Sequence, residues 1–79
     1  MTLRARVRAE LERHGLTPGE ADTAASLRER LNDRYLEDVR RLRDRQRAGE
    51  IPLREYAGAV ESLKFRYPLL GLPPEQWTE

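Results

Sequence analysis

Leu3, Val7 and Leu11 recur at steps of four, and His14 continues the line. That spacing marks one face of an α-helix. Gly15 stands where a left-handed residue commonly closes a helix. The pattern predicts a first helix over residues 2–14. Next comes Thr17-Pro18-Gly19-Glu20. Thr17 suits the N-cap, Pro18 the first helical position and Glu20 the third, which together form a capping box. A second apolar stripe follows at steps of three and four: Ala24, Leu27, Leu31, Tyr35, Val39 and Leu42, with Leu36 beside it. It predicts a second helix over 18–48, closed by Gly49. Ser26 and Glu29 make a second capping box, which offers an alternative start at Leu27.

Pro52 suits the first turn of a third helix, and Leu53, Tyr56, Ala57, Val60, Leu63 and Tyr67 form its stripe. Pro68 disfavours helical backbone at Tyr67, so this helix is predicted over 52–66. Residues 67–79 hold three prolines and one glycine and read as an extended apolar tail. No strand alternation or internal repeat is present. The predicted fold is all-α, one domain over 1–79. Three helices lie antiparallel around a long central one, and the tail closes an end. A central helix of that length would measure roughly 46 Å. A compact globule of this size has a radius of gyration of about 12 Å. The helix is therefore covered piecewise, or it overhangs and meets a partner.

Composition narrows the chemistry. The chain has 79 residues, 38% hydrophobic and 37% charged, so the core is small and the surface ionic. Fifteen basic and fourteen acidic residues leave a net charge of +1, which does not indicate a strongly basic nucleic-acid binder. Cysteine is absent, which removes disulfides, thiolate metal sites and thiol catalysis and fits a cytoplasmic protein. No apolar run approaches the roughly 20 residues of a membrane span, and the start of the chain lacks the apolar core of a secretory signal.

Catalysis has little to build on. His14 is the one histidine, and its place on the apolar line at a helix end reads as structural. Acids on the helices have arginines three or four residues away, as Glu10 with Arg13 and Glu37 with Arg40 and Arg41. These are intrahelical pairs worth about 0.2–0.5 kcal/mol each. No phosphate-binding glycine loop and no zinc-protease motif occurs. Asp44 to Glu55 follows the outline of a calcium loop, with Gly49 at the sixth place and Glu55 at the twelfth. Ala48 offers no side-chain oxygen there, however, and Arg43, Arg45 and Arg47 crowd the site. The stretch reads instead as a helix–glycine–helix hairpin. The chain is expected to be no enzyme, with no cofactor, no metal and no small-molecule substrate.

Two features remain. Residues 40–47 carry five arginines against one aspartate. Arg40, Arg43 and Arg47 share a helix face, while Arg41 and Arg45 lie on another flank. Such a cluster suits phosphates or an acidic protein surface, or it stays solvated and complements the helix dipole. No aromatic is interleaved for base stacking. Four of five aromatics lie after residue 55, beside Leu69, Leu70 and Leu72. This cluster either folds back as core or forms a docking surface. The expectation is a non-catalytic interaction module or regulator, docking on another protein or on its own copy. Phe65, Tyr67, Leu69, Leu70, Leu72 and Trp77 would be its contact set, with Arg43 and Arg47 as rim charges. On that reading, deleting residues 68–79 spares helicity. The alternative is a small nucleic-acid-associated regulator using Arg40 to Arg47.

Overall fold

The computed structural model describes residues 2–79, so Met1 lies outside the described residues. The fold is all-α. Three helices, α1 (Ala5–Arg13), α2 (Ala24–Arg47) and α3 (Leu53–Lys64), are followed by two short 3-10 turns at Pro68–Gly71 and Pro74–Gln76.

The first two helices end in the same way. Gly15 and Gly49 take φ of +71° and +83°, the left-handed region that costs a residue with a Cβ about 1–2 kcal/mol. After α1, Gly15 N–H donates to the Glu12 carbonyl and Leu16 N–H to the Leu11 carbonyl. After α2, Gly49 donates to Gln46 and Glu50 to Arg45. Both are Schellman closures, which satisfy carbonyls that the helix end would otherwise leave open.

Helix starts differ more from expectation. α1 begins at Ala5 rather than residue 2. Leu3 instead forms an isolated antiparallel bridge with Thr78, and Arg4 N–H donates to the Trp77 carbonyl. The chain there is extended because it is paired with the C-terminal segment. α2 begins at Ala24 rather than 18. Thr23 is its N-cap, and Thr23 and Ser26 each accept the other's backbone N–H through their hydroxyls. The Thr17–Glu20 box starts no helix. Gly19 N–H goes instead to the Asp22 carboxylate at 2.8 Å, and Asp22 N–H returns to the Gly19 carbonyl. A helix through this stretch would carry Gly19 in its interior at about 1 kcal/mol, with little apolar surface to bury between Leu16 and Ala24. Pro52 is the N-cap of α3 rather than its first residue. The tail is not extended, since each 3-10 turn opens on a proline, Pro68 and Pro74.

Ten residues make the core: Leu3, Val7, Leu11, Leu16, Leu27, Leu31, Leu63, Tyr67, Leu69 and Trp77. Their distribution along the chain is uneven. Among the described residues, none between Leu31 and Leu63 is buried. The tail folds back on α2, so α1, the first half of α2, the end of α3 and the tail share one core. The remainder of α2 and α3 projects as a two-helix arm. Tyr35, Val39 and Leu42 on its seam are only half-buried, and Leu53 is 72% exposed. The dimensions agree. The molecule measures 44 × 18 × 17 Å with a radius of gyration of 14.6 Å, above the about 12 Å of a compact chain this long. Among the described residues, no helix is long and apolar enough to cross a membrane.

Candidate functional site

The expected contact set divides on the structure. Tyr67, Leu69 and Trp77 are core. Trp77 is 0% exposed, and its indole N–H donates to the Leu72 carbonyl at 3.3 Å. Leu69 and Trp77 have no free surface to offer, because the tail returns to cover α1 and α2, and Tyr67 keeps only a sliver. Leu70 and Leu72 are half-buried against the same core. Phe65 alone of the apolar set stands out, 79% exposed at the C-cap of α3. Arg43 and Arg47 are exposed and hold no ion pair among the described residues. Neither lines the groove between α2 and α3.

Arg41 and Arg45 are the α2 arginines that flank the open side of the seam. With Leu42 they form one wall of a groove of about 480 Å³, and Ala59 and Leu63 of α3 form the other. Arg66 stands at its inner end. The antiparallel hairpin dictates this arrangement: Arg41 and Arg45 are one turn apart on α2, and the residues facing them come one turn apart on α3. Arg41 lies 3.7 Å from Asp38 and Arg45 3.5 Å from Glu50, with side chains mostly in solvent. Such exposed pairs contribute about 0–1 kcal/mol and exchange readily. Arg66 has no acidic partner among the described residues. Arg66 and Asp38 also border a hollow that holds Phe65 and Arg13. The groove thus joins an apolar seam to three arginines, and the exposed Phe65 lies outside it. The groove was readable only in part from the sequence. Arg41 and Arg45 flank the Leu42 stripe at helical spacing, but the partners on α3 come from the hairpin's register.

The junction between arm and core is rigidly built. The His14 ring stacks on Tyr67, with centroids 4.2 Å apart and planes 15° apart. Its Nε2–H donates to the Arg66 carbonyl at 2.7 Å, since a carbonyl can only accept. Tyr35 meets the Tyr67 ring edge-on at 5.4 Å. The Tyr67 hydroxyl donates to the Asp38 carboxylate. Burial pushes the Tyr67 phenol up to about 12, and the Asp38 carboxylate adds to that by accepting its hydrogen bond and by its charge. His14 is therefore a clamp between α1 and the end of α3. Near the start of α2, the Asp22 carboxyl is held below its usual range. The main causes are the bond from Gly19 N–H and that from the Ser26 hydroxyl, with the Arg30 charge as a lesser one.

A second opening lies on another side of the junction. Arg28, Asn32 and Tyr35 of α2 face Lys64, Pro68 and Leu70 across a cleft of about 380 Å³. Arg28 Nη2 donates to the Leu70 carbonyl at 2.8 Å. Its Nε–H is buried without a partner, which costs about 1–3 kcal/mol. No three His, Asp or Glu side chains gather as a metal site among the described residues. No protein-family model matches this chain, and neither a curated protein nor a solved structure matches it.

Proposed function

We propose that the protein is a non-catalytic interaction module whose arm receives an acidic amphipathic helix of a partner protein. One observation carries the reading: among the described residues, none is buried between Leu31 and Leu63. The seam of a two-helix hairpin is covered on one side only, and a third helix laid in the groove would complete it. Leu42, Ala59 and Leu63 supply its apolar surface, and the exposed Phe65 stands outside the groove at the C-cap of α3. Charge selects the occupant. Arg41, Arg45 and Arg66 surround the groove against Asp38, so acidic flanks on the incoming helix are complementary and speed its encounter. A second copy of this chain would bring the same arginines to the seam, where like charges oppose each other.

The test is fluorescence anisotropy with a labelled helical peptide bearing a leucine stripe between glutamates. The full chain is expected to bind it, and to bind a lysine-flanked version at least about ten-fold more weakly. Arg41→Glu with Arg45→Glu should abolish the preference. Three results overturn the reading. One is equal binding of both peptides. Another is a mass that doubles with concentration in light scattering, which makes the occupant a second copy. The last is duplex DNA bound instead, with a steep loss between about 50 and 200 mM salt, which places function on Arg40, Arg43 and Arg47.

A further inference from the structure

We infer that the cleft between the first half of α2 and the start of the tail binds a carboxylate carried on an apolar body. This site is separate from the arm's groove and does not depend on it. Two cations, Arg28 and Lys64, line the cleft, and no acidic residue does. The contrast with the groove is plain, because there Asp38 and Glu50 stand beside Arg41 and Arg45. Apolar walls adjoin the cations: the Tyr35 and Tyr67 rings, Pro68 and Leu70. The Tyr35 ring is itself held edge-on to Tyr67. Asn32 adds an amide that can donate a hydrogen bond.

The independent sign is Arg28 itself. Its guanidinium is anchored through Nη2 to the Leu70 carbonyl, so it does not swing freely into solvent. Its Nε–H is buried and finds no acceptor. That atom is enclosed by protein, so an incoming group meets the guanidinium's remaining N–H donors, and a carboxylate suits them best because it accepts two parallel N–H bonds. The volume, about 380 Å³, lies at the small end of the range for ligand pockets. The occupant is therefore a small carboxylic acid with an aromatic or branched aliphatic body, or a chain end with an apolar last residue. Both present the same chemistry.

The experiment is an NMR titration of the full chain, following backbone amides and arginine Nε–H signals. The probes are phenylacetate, its neutral isostere phenylacetamide, an acetylated tripeptide ending in a free phenylalanine carboxylate, and inorganic phosphate. Phenylacetate or the free-ended peptide should move the Arg28 Nε–H and Gly71 amide signals saturably. Whichever binds more tightly identifies the source. Phenylacetamide should bind at least about ten-fold more weakly, the loss expected when a charge-assisted bond is replaced. Lys64→Gln, an exposed position, should weaken phenylacetate several-fold with the fold unchanged. Arg28→Met should abolish binding. The proposal fails if phenylacetamide matches phenylacetate, if phosphate moves the same signals equally well, if Lys64→Gln leaves affinity unchanged, or if neither carboxylate moves the Arg28 Nε–H.

Discussion

Replacing Trp77 with alanine tests whether the C-terminal segment is part of the core. The indole is fully enclosed, and its neighbourhood ties both ends of the chain together. Arg4 N–H donates to the Trp77 carbonyl, Glu79 N–H donates to the Thr2 carbonyl, and Leu3 bridges to Thr78. A buried tryptophan removes roughly 150–250 Å² from water. At about 25 cal/mol per Å² that is about 4–6 kcal/mol, and truncations of this kind cost about 3–5 kcal/mol in practice. A domain of this length holds a total of about 4–12 kcal/mol, and one with ten core residues belongs at the lower end. Trp77→Ala should therefore leave the chain close to half unfolded at room temperature, or lower its melting temperature by at least about 12 °C.

Two further readings sharpen the test. Trp77 is the one tryptophan, so its emission should be blue-shifted in the native protein and move to the red on denaturation. Trp77→Phe keeps most of the apolar volume and loses the bond to the Leu72 carbonyl, so it should cost only about 1–2 kcal/mol. Deleting residues 68–79 removes Leu69 as well and should collapse the far-UV helical signal. A truncated chain that keeps its helicity, or a Trp77→Ala variant that melts within about 4 °C of the parent, would refute the placement of the tail in the core.

Other perturbations read other parts of the fold. Gly58 sits in α3 with nothing within 4 Å of where a Cβ would stand, so Gly58→Ala should stabilise by about 0.5–1 kcal/mol; a lower melting temperature would show that the arm packs more closely there. The Tyr67 phenol has its folded value raised to about 12 against an unfolded value of about 10. Its contribution is whole below about pH 10 and is lost as pH climbs through about 12. The alkaline fall in stability should therefore be shallower in Tyr67→Phe, and curves of equal slope would contradict the burial of that hydroxyl. Asp22 is shifted the other way, chiefly by the Gly19 N–H. It stabilises above its unfolded value of about 3.9, and that contribution is lost as pH falls through the folded one. Asp22→Asn should melt lower at neutral pH and show a flatter acid limb in thermal melts.

How far the chain announces its own fold depends on how local each signal is. The stripes of α1, α2 and α3 are local, since residues three or four apart meet on one helix face whatever else is present. Gly15 and Gly49 are equally local, because only the backbone decides which residue tolerates a left-handed closure. The start of α2 is different. Thr17–Glu20, Thr23–Ser26 and Ser26–Glu29 all offer capping chemistry, and the choice falls to Asp22, whose carboxylate ties Gly19 into a turn and accepts from the Ser26 hydroxyl. That choice spans several residues and no single motif encodes it.

Burial is the least local property, and the expected contact set shows why. Tyr35, Val39 and Leu42 continue the stripe of Leu27 and Leu31 without a break in spacing, yet only the latter pair is buried. The difference lies in how many other elements reach each turn of the helix. The first half of α2 is covered by the returning tail as well as by its helical neighbours, whereas the second half has α3 alone. Composition alone could indicate more apolar surface than three short helices would hide. It could not say that Trp77 and Leu69 would be spent on the core and leave the uncovered surface to Phe65, Leu53 and the seam of the arm. The placement of the arginines is equally non-local. Arg43 and Arg47 are prominent in the sequence, but the arginines that line the groove of the hairpin are Arg41, Arg45 and Arg66.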